Sequence, residues 1–304
     1  MPGGRVAVVG SLNMDLVARV PRAPRLGETI LAESFGTYPG GKGLNQAVAA
    51  RRAGAKVSML GRVGEDPFGA ALVACLEEEG IDGGQVQAVA EGTGVAVIHV
   101  LPDGRNTIAV AAQANGTLGP EHVDAARRML EASDVLLLQG EVPLAASLRA
   151  AEVARAAGRL VLFNPAPVPP PGPELERLLQ LSQLVVPNES ELETLSGRRD
   201  MDGLSELGAR SGGSVVVTLG ARGAALWAPG TPVRQWPTHT VQVLDTTAAG
   251  DAFCGAMAAC LAAGGQTLEA VAWGLAAGAL ACTGAGALPS LPRRTEILGL
   301  LQDL

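Results

Sequence analysis

Two glycine-rich segments place a carboxylate and a lysine at predicted helix starts. In Asp245-Thr246-Thr247-Ala248-Ala249-Gly250-Asp251, small residues lead into an apolar helical period over 252–261. Successive amides of Ala249, Gly250 and Asp251 form a run able to bind an anion, with the Asp251 carboxylate beside it. That pairing suits phosphoryl transfer: N–H groups neutralise charge developing on the transferred group, and the carboxylate accepts the proton of an attacking alcohol. A lone Gly-Asp at a helix start has a simpler explanation as a cap.

The other segment, Gly36-Thr37-Tyr38-Pro39-Gly40-Gly41-Lys42-Gly43, has the glycine, four residues and Gly-Lys of a phosphate-binding loop. Gly43 stands where a Ser/Thr would hold Mg²⁺, and no buried-strand pattern precedes it, so that reading fails. What remains is a glycine-rich turn opening a helix over 44–53. Its glycines admit a small polyol close to the backbone, and Lys42 and Asn45 offer hydrogen bonds to hydroxyls; a helix start with no ligand explains the same residues. Asn188 and Glu191 follow one strand end and suit a hydrated Mg²⁺ or, equally, a capping box. Thr218, Leu219, Gly220, Ala221, Arg222 and Gly223 follow another, fitting phosphate contact or a tight hairpin. His99, His122 and His239 have no metal-ligand spacing.

The elements that must position these groups alternate. Apolar runs at 6–9, 57–60, 135–138, 160–163, 184–186 and 215–219 are continuous in hydrophobicity, as in parallel strands covered on both faces. Helical periods at 44–53, 67–79, 120–131, 144–157 and 190–196 separate them, giving a doubly wound α/β sheet with helices on both faces. Segments 16–37 and 94–111 break the rhythm as extended pieces, with Pro102-Asp103-Gly104 expected at a hairpin tip; together they predict a small β-sheet lid over the site. Six prolines within 165–173 read as a stiff surface loop, because the βα rhythm resumes at once. Residues 1–304 are therefore expected to form one domain carrying a lid.

The charge of −7 and the lack of a Lys/Arg block argue against nucleic acid or an anionic membrane as partner. Only Lys42 and Lys56 are lysines among 23 basic residues, which singles out Lys42. The N-terminus lacks an export-signal pattern, and the apolar stretch 253–286 is interrupted at 266–269, leaving pieces too short to span a bilayer. Cys75, Cys254, Cys260 and Cys282 show no disulfide or metal spacing, and a reducing cytoplasm is the expected location.

The ordered motifs resemble the ribokinase/PfkB family of carbohydrate kinases over nearly the whole chain. They are Gly40-Gly41-Lys42-Gly43-Leu44-Asn45-Gln46, then Asn164-Pro165-Ala166-Pro167, then Pro187-Asn188-Glu189-Ser190-Glu191, then 245–253. Gly10-Ser11-Leu12-Asn13-Met14-Asp15 and the Gly-Lys-Gly-x-Asn-Gln form resemble the ribose-specific branch more than fructokinases or adenosine kinases. The resemblance implies ATP-dependent phosphorylation of D-ribose at O5. It implies sugar contacts from Asn13, Asp15, Gly41, Lys42, Asn45 and Glu141, a general base at Asp251, and an anion hole at Ala249 and Gly250. It places nucleotide contacts at Asn188, Gly250 and Thr218–Gly223, and the Mg²⁺-associated acid at Glu191. A monovalent cation, K⁺ by expectation, falls to Asp245, Thr247, Ala281, Gly284, Gly286 and Ser290. There the chain departs, with Gly284-Ala285 where relatives often have Arg-Lys and Leu288 where a polar residue is usual. A homodimer through the lid is also implied. Other readings are a deoxyribokinase or fructokinase on the same fold, or a sugar-sensing regulator, which would be expected to lose Asp251 or the glycine-rich turn.

Overall fold

In the computed structural model, which describes residues 3–102 and 105–302, thirteen strands form two sheets. In chain order they are β1 (Arg5–Val9), β2 (Asn13–Arg19), β3 (Ser34–Gly40), β4 (Lys56–Gly64), β5 (Asp82–Val89), β6 (Gly94–Val100), β7 (Asn106–Ala111), β8 (Val135–Leu138), β9 (Leu160–Phe163), β10 (Leu184–Val185), β11 (Ser214–Thr218), β12 (Ala224–Trp227) and β13 (Arg234–Trp236). Nine make the main sheet in the order β13-β12-β11-β10-β9-β8-β1-β4-β5. It is parallel from β11 to β5 and antiparallel at the β12 and β13 edge.

The continuous apolar runs have the expected cause. Val6, Val8, Val135 and Leu137 join one buried cluster with the helices Lys42–Arg52, Ala249–Ala262 and Thr267–Ala281. Ala7, Val9, Leu136 and Leu138 join another, on the opposite face, with Leu144–Ala156 and Pro173–Leu181. Successive strand residues thus point into two separate cores, and none is left for solvent.

The second sheet, β3-β2-β6-β7, is the expected lid. It reaches further than 16–37, because β2 starts at Asn13 and β3 runs to Gly40, so lid strands feed directly into site residues. Leu101 N–H donates to the Arg105 carbonyl at 2.8 Å, closing the β6–β7 hairpin; Asp103 and Gly104 of its expected tip lie outside the described residues.

Two expectations need correction. The predicted helix 120–131 is two, Pro120–Ala125 and Arg127–Glu131, because Ala126 leaves helical geometry and its carbonyl is shared by the Met129 and Leu130 N–H groups. The proline run is not wholly at the surface. Pro165 and Ala166 are buried, and the Ala166 carbonyl accepts from Gly140 N–H at 3.1 Å, because the run leaves the end of β9 into the crevice that parallel strand ends create. Among the described residues no helix is long and apolar enough to cross a membrane.

Candidate active site

The helix Lys42–Arg52 begins one residue after lid strand β3. Its first turn lies against the loop that follows β1, and glycine makes that approach possible. Gly41 sits at φ 91°, a conformation that disfavours side chains, and a Cβ on Gly43 would stand 2.5 Å from the Ser11 nitrogen. The closeness lets Ser11 accept from the helix start, its Oγ from Gly43 N–H at 3.2 Å and its carbonyl from Leu44 N–H at 3.0 Å.

Glu141, just beyond β8, collects the donors left over. Its Oε2 accepts from Lys42 N–H at 3.0 Å, from the Ser11 hydroxyl at 2.6 Å and from Asn13 Nδ2 at 3.5 Å. A carboxylate at a helix N-terminus is electrostatically favoured. Asn13 is oriented from behind by Asn115, whose Nδ2 donates to Asn13 Oδ1 at 2.8 Å and whose Oδ1 accepts from Leu12 N–H at 2.9 Å. Asp15 projects from β2 over Gly40, where a Cβ would lie 2.3 Å from its Oδ2.

Burial, with the Glu141 and Asp251 charges nearby, pushes the Asp15 carboxyl up to about 7 from 3.8. The folded protein therefore keeps a proton that the unfolded chain releases near pH 4. This linkage makes stability fall as pH rises from about 4 to 7 and adds no further slope above. Asp15→Asn is expected to raise Tm more at pH 8 than at pH 5; equal shifts in thermal unfolding at both would show that Asp15 ionises normally.

Asp251 lies in the first turn of Ala249–Ala262, but the cap explanation does not hold: Ala248 is the N-cap and no side chain caps this helix. The Asp251 carboxylate turns to the neighbouring helix instead. Its Oδ2 accepts from Asn45 Nδ2 at 3.0 Å, and its Oδ1 from Gln46 Nε2 at 2.9 Å. Asn45 Oδ1 is then buried with no protein partner, as an acceptor awaiting a hydroxyl donor would be.

On the other side of Asp251 opens a cavity of about 220 Å³, lined by Lys42, Asn164, Ala166, Val186, Asn188, Glu191, Thr218, Thr246, Ala248, Ala249, Gly250, Asp251 and Cys254. Burial works against the Lys42 ammonium, but Asp251, Glu141 and Glu191 outweigh it and hold its pKa above the usual lysine value. Lys42 thus faces both the Asn13–Glu141 cluster and the Asn188–Glu191 side. Burial pushes the Cys254 thiol up, which leaves it a poor nucleophile.

Asn188 and Glu191 form a reciprocal capping box, with Asn188 N–H donating to Glu191 Oε2 at 2.8 Å and Glu191 N–H to Asn188 Oδ1 at 2.9 Å. Burial raises the Glu191 carboxyl despite the Asn188 N–H and Lys42. Of the 218–223 segment only Thr218 lines the cavity. Gly220–Arg222 is a one-turn helix closing the β11–β12 hairpin, and the Arg222 guanidinium pairs with Glu189.

Asp245 holds two turns together. Its Oδ1 accepts from Thr247 N–H at 2.9 Å and Thr247 Oγ1 at 2.6 Å, and its Oδ2 from Gly286 N–H at 2.9 Å. Gly284 packs onto Ser290, where a Cβ would lie 2.9 Å from the Ser290 Cβ, so the glycine at this departure permits a close approach. Gly284 and Ser290 also border a separate pocket of about 410 Å³ containing Arg52. That guanidinium is engaged by Glu79 and the Leu288 and Leu291 carbonyls, so it serves the fold.

Motif reading found the groups around Asp251 and Glu141. It did not assign roles to Asn115, Gln139 or Asn164, nor a role to Gln46 beyond the signature. Gln139 and Asn164 each end an apolar run as a buried polar residue, and that contrast is the one signal available for them.

Known proteins share this fold. Residues 4–294 match the pfkB family carbohydrate kinases. The chain is 38% identical to the ribokinase of Haemophilus influenzae, with 98% of each chain covered, and 35% identical to the deoxyribokinase of Salmonella typhi, covering 97% of this chain and 99% of that one. The structure of Arabidopsis thaliana ribokinase complexed with ribose and ATP superposes with a TM-score of 0.90 at 32% identity over 99% of both chains. With the family model matched over residues 4–294 and relatives aligned along nearly the whole chain, this protein belongs to the pfkB family of carbohydrate kinases.

Proposed function

We propose that the protein transfers the γ-phosphoryl group of ATP to O5 of D-ribose, giving ribose 5-phosphate. The observation that carries the reading is the placement of Asp251: both oxygens are held by amides of the glycine-rich helix, at the boundary between a hydroxyl-binding cluster and the cavity bordered by the Ala249–Gly250 helix start. Ribose is bound by Asn13, Asp15, Gly41, Lys42, Asn45 and Glu141. Asp251 accepts the O5 proton as O5 attacks, and the Ala249, Gly250 and Asp251 amides take the spreading charge. Asn188 and the Thr218–Gly223 turn flank the nucleotide.

The four-stranded lid, inserted in a single α/β domain, closes over the sugar and excludes water as a competing acceptor. Coupled assay of ATP turnover across pentoses, hexoses and nucleosides tests the assignment; a preference for anything but ribose overturns it. The deoxyribokinase relative favours 2-deoxyribose as the second candidate, so that sugar belongs in the panel.

The donor set fits Mg²⁺ carried on ATP, since Glu191 is a half-buried carboxylate facing the cavity and its partner Asn188 offers a further oxygen. When bound, the ion neutralises phosphate charge. Asp245 with the carbonyl-rich 281–290 turn suits a monovalent cation, for which Thr247, Ala281, Gly284, Gly286 and Ser290 supply oxygens. Such an ion braces the loop that carries the anion-hole amides. Replacing K⁺ by a bulky organic cation at constant ionic strength is expected to lower turnover several-fold, and Asp245→Ala to abolish the difference; equal rates in both buffers would remove the cation from the reading.

The lid supports a homodimer. Exposed apolar residues lie on both faces of it: Ile108 and Val110 on the face of Asp15, Phe35 and Val97 on the other, each 42–66% exposed, and a small sheet with uncovered apolar surface is marginal alone. Light scattering is expected to give a dimer, whereas a monomer at micromolar concentration would count against pairing through the lid.

A further inference from the structure

Behind Asp251 three buried amides form a chain whose direction is fixed at both ends. The Val186 carbonyl can only accept, so Asn164 presents Nδ2 to it at 2.7 Å and turns Oδ1 toward Gln46. Gln46 Nε2 donates to Asn164 Oδ1 and to Asp251 Oδ1, at 2.9 Å each. That leaves Gln46 Oε1 to accept from Gln139 Nε2 at 2.8 Å. Turning any of the three over would set N–H against N–H or oxygen against oxygen. The chain begins at Gln139, whose Oε1 is buried with no protein partner.

We propose that Gln46 is the positioning residue of the general base, and that Gln139 and Asn164 hold its amide in the one orientation that donates to Asp251. This rests on the reading of Asp251 as the base. Gln46 on Oδ1 and Asn45 on Oδ2 fix the carboxylate plane from one helix and leave the remaining lone pairs to the crevice. Both donors are neutral amides, so they orient the carboxylate without bringing a charge to it. The other charged or titratable groups facing Asp251 are Lys42, Asp15, Glu191 and Cys254, and none is altered by substitution at Gln46 or Gln139.

Three substitutions test this in the full-length enzyme. Gln46→Met keeps the volume and removes the donor; kcat is expected to fall about 10–100-fold with the ribose KM within about threefold. Gln46→Glu sets a second carboxylate against Asp251 and is expected to move the acid limb of the kcat–pH profile upward by about one unit or more. Gln139→Met touches neither Asp251 nor substrate and is expected to give a smaller loss of kcat with KM kept; it decides the question by the same readouts if a Gln46 variant does not fold.

A residue that only supports packing would lower the amount of active enzyme without splitting kcat from KM or moving the limb. Gln46→Met within threefold of wild-type kcat, or an unmoved limb in folded Gln46→Glu, overturns the proposal. Asp251→Asn separates it from the reading beneath: an inactive Asp251→Asn beside normal Gln46 variants overturns the positioning role alone, and an active Asp251→Asn overturns both.

Discussion

Asp251→Asn is expected to lower turnover by about 10²–10⁴-fold, the usual contribution of a general base, while ribose binding falls far less. The substitution removes the charge at a group with no capping duty, since Ala248 begins the helix, so the helix start that carries the anion hole stays in place. Its structural cost is local. The carboxylate accepts from Asn45 and from Gln46, and an amide has one oxygen, so one of these donors must face an N–H group. Losing a buried partner in this way costs about 1–3 kcal/mol, enough to lower Tm and too little to unfold a domain with this large a core. Ribose itself is held in the proposed reading by Asn13, Asp15, Gly41, Lys42, Asn45 and Glu141, of which Asn45 alone is hydrogen-bonded to Asp251. Steady-state kinetics with calorimetric titration of ribose checks both halves, and turnover within tenfold of wild type would remove Asp251 as the base.

The parts of this arrangement legible in the sequence are those that repeat or cluster. Residues 6–9 and 135–138 announce buried parallel strands because consecutive side chains enter two cores, and a run of apolar residues is the direct record of that. The lid is legible as an interruption, although its true edges at Asn13 and Gly40 are masked by the motifs they run into. Glycine clusters betray the close approach of the first helix turn to Ser11 for the same reason: no other residue fits.

What escapes is what depends on partners distant in the chain. Asp251 stands out in the sequence as a candidate base, but what orients its carboxylate is seen only with Asn45 and Gln46, some 206 and 205 residues away. Asn188 and Glu191 run the other way: their capping box is local, at spacing three, and the structure shows it as that spacing predicts. Arg222 shows the limit of residue type alone, because a cation beside a glycine turn suggests phosphate, while in the fold Glu189 neutralises it. The edge strands β5 and β13 carry mixed or exposed burial and so have no continuous apolar run to reveal them.

Gly250→Ala is expected to separate activity from stability, and in opposite directions. No heavy atom lies within 4 Å of a Cβ built on Gly250, and the residue sits in the first turn of a helix, where alanine is preferred over glycine by up to about 1 kcal/mol. The protein should therefore tolerate the methyl, with Tm unchanged or raised by about 1–2 °C. The open space is open on the cavity side, however, beside Lys42, Glu191 and Thr218. A transferred phosphoryl group must come within about 2.7–3.1 Å of the helix-start N–H groups for them to stabilise it, and loss of one such donor typically costs about 10²–10³-fold in kcat. The added methyl stands in that approach, so turnover is expected to fall by at least about 100-fold, with ribose affinity largely kept because Gly250 is not among the residues that hold ribose in the proposed reading. Gly43 provides the contrast: a Cβ there meets the Ser11 backbone at 2.5 Å, so its replacement damages fold and activity together. Kinetics and thermal unfolding on Gly250→Ala therefore test the anion hole without the ambiguity of a destabilised enzyme. Wild-type turnover in this variant would show that the phosphoryl group does not pass over the Ala249–Gly250 turn.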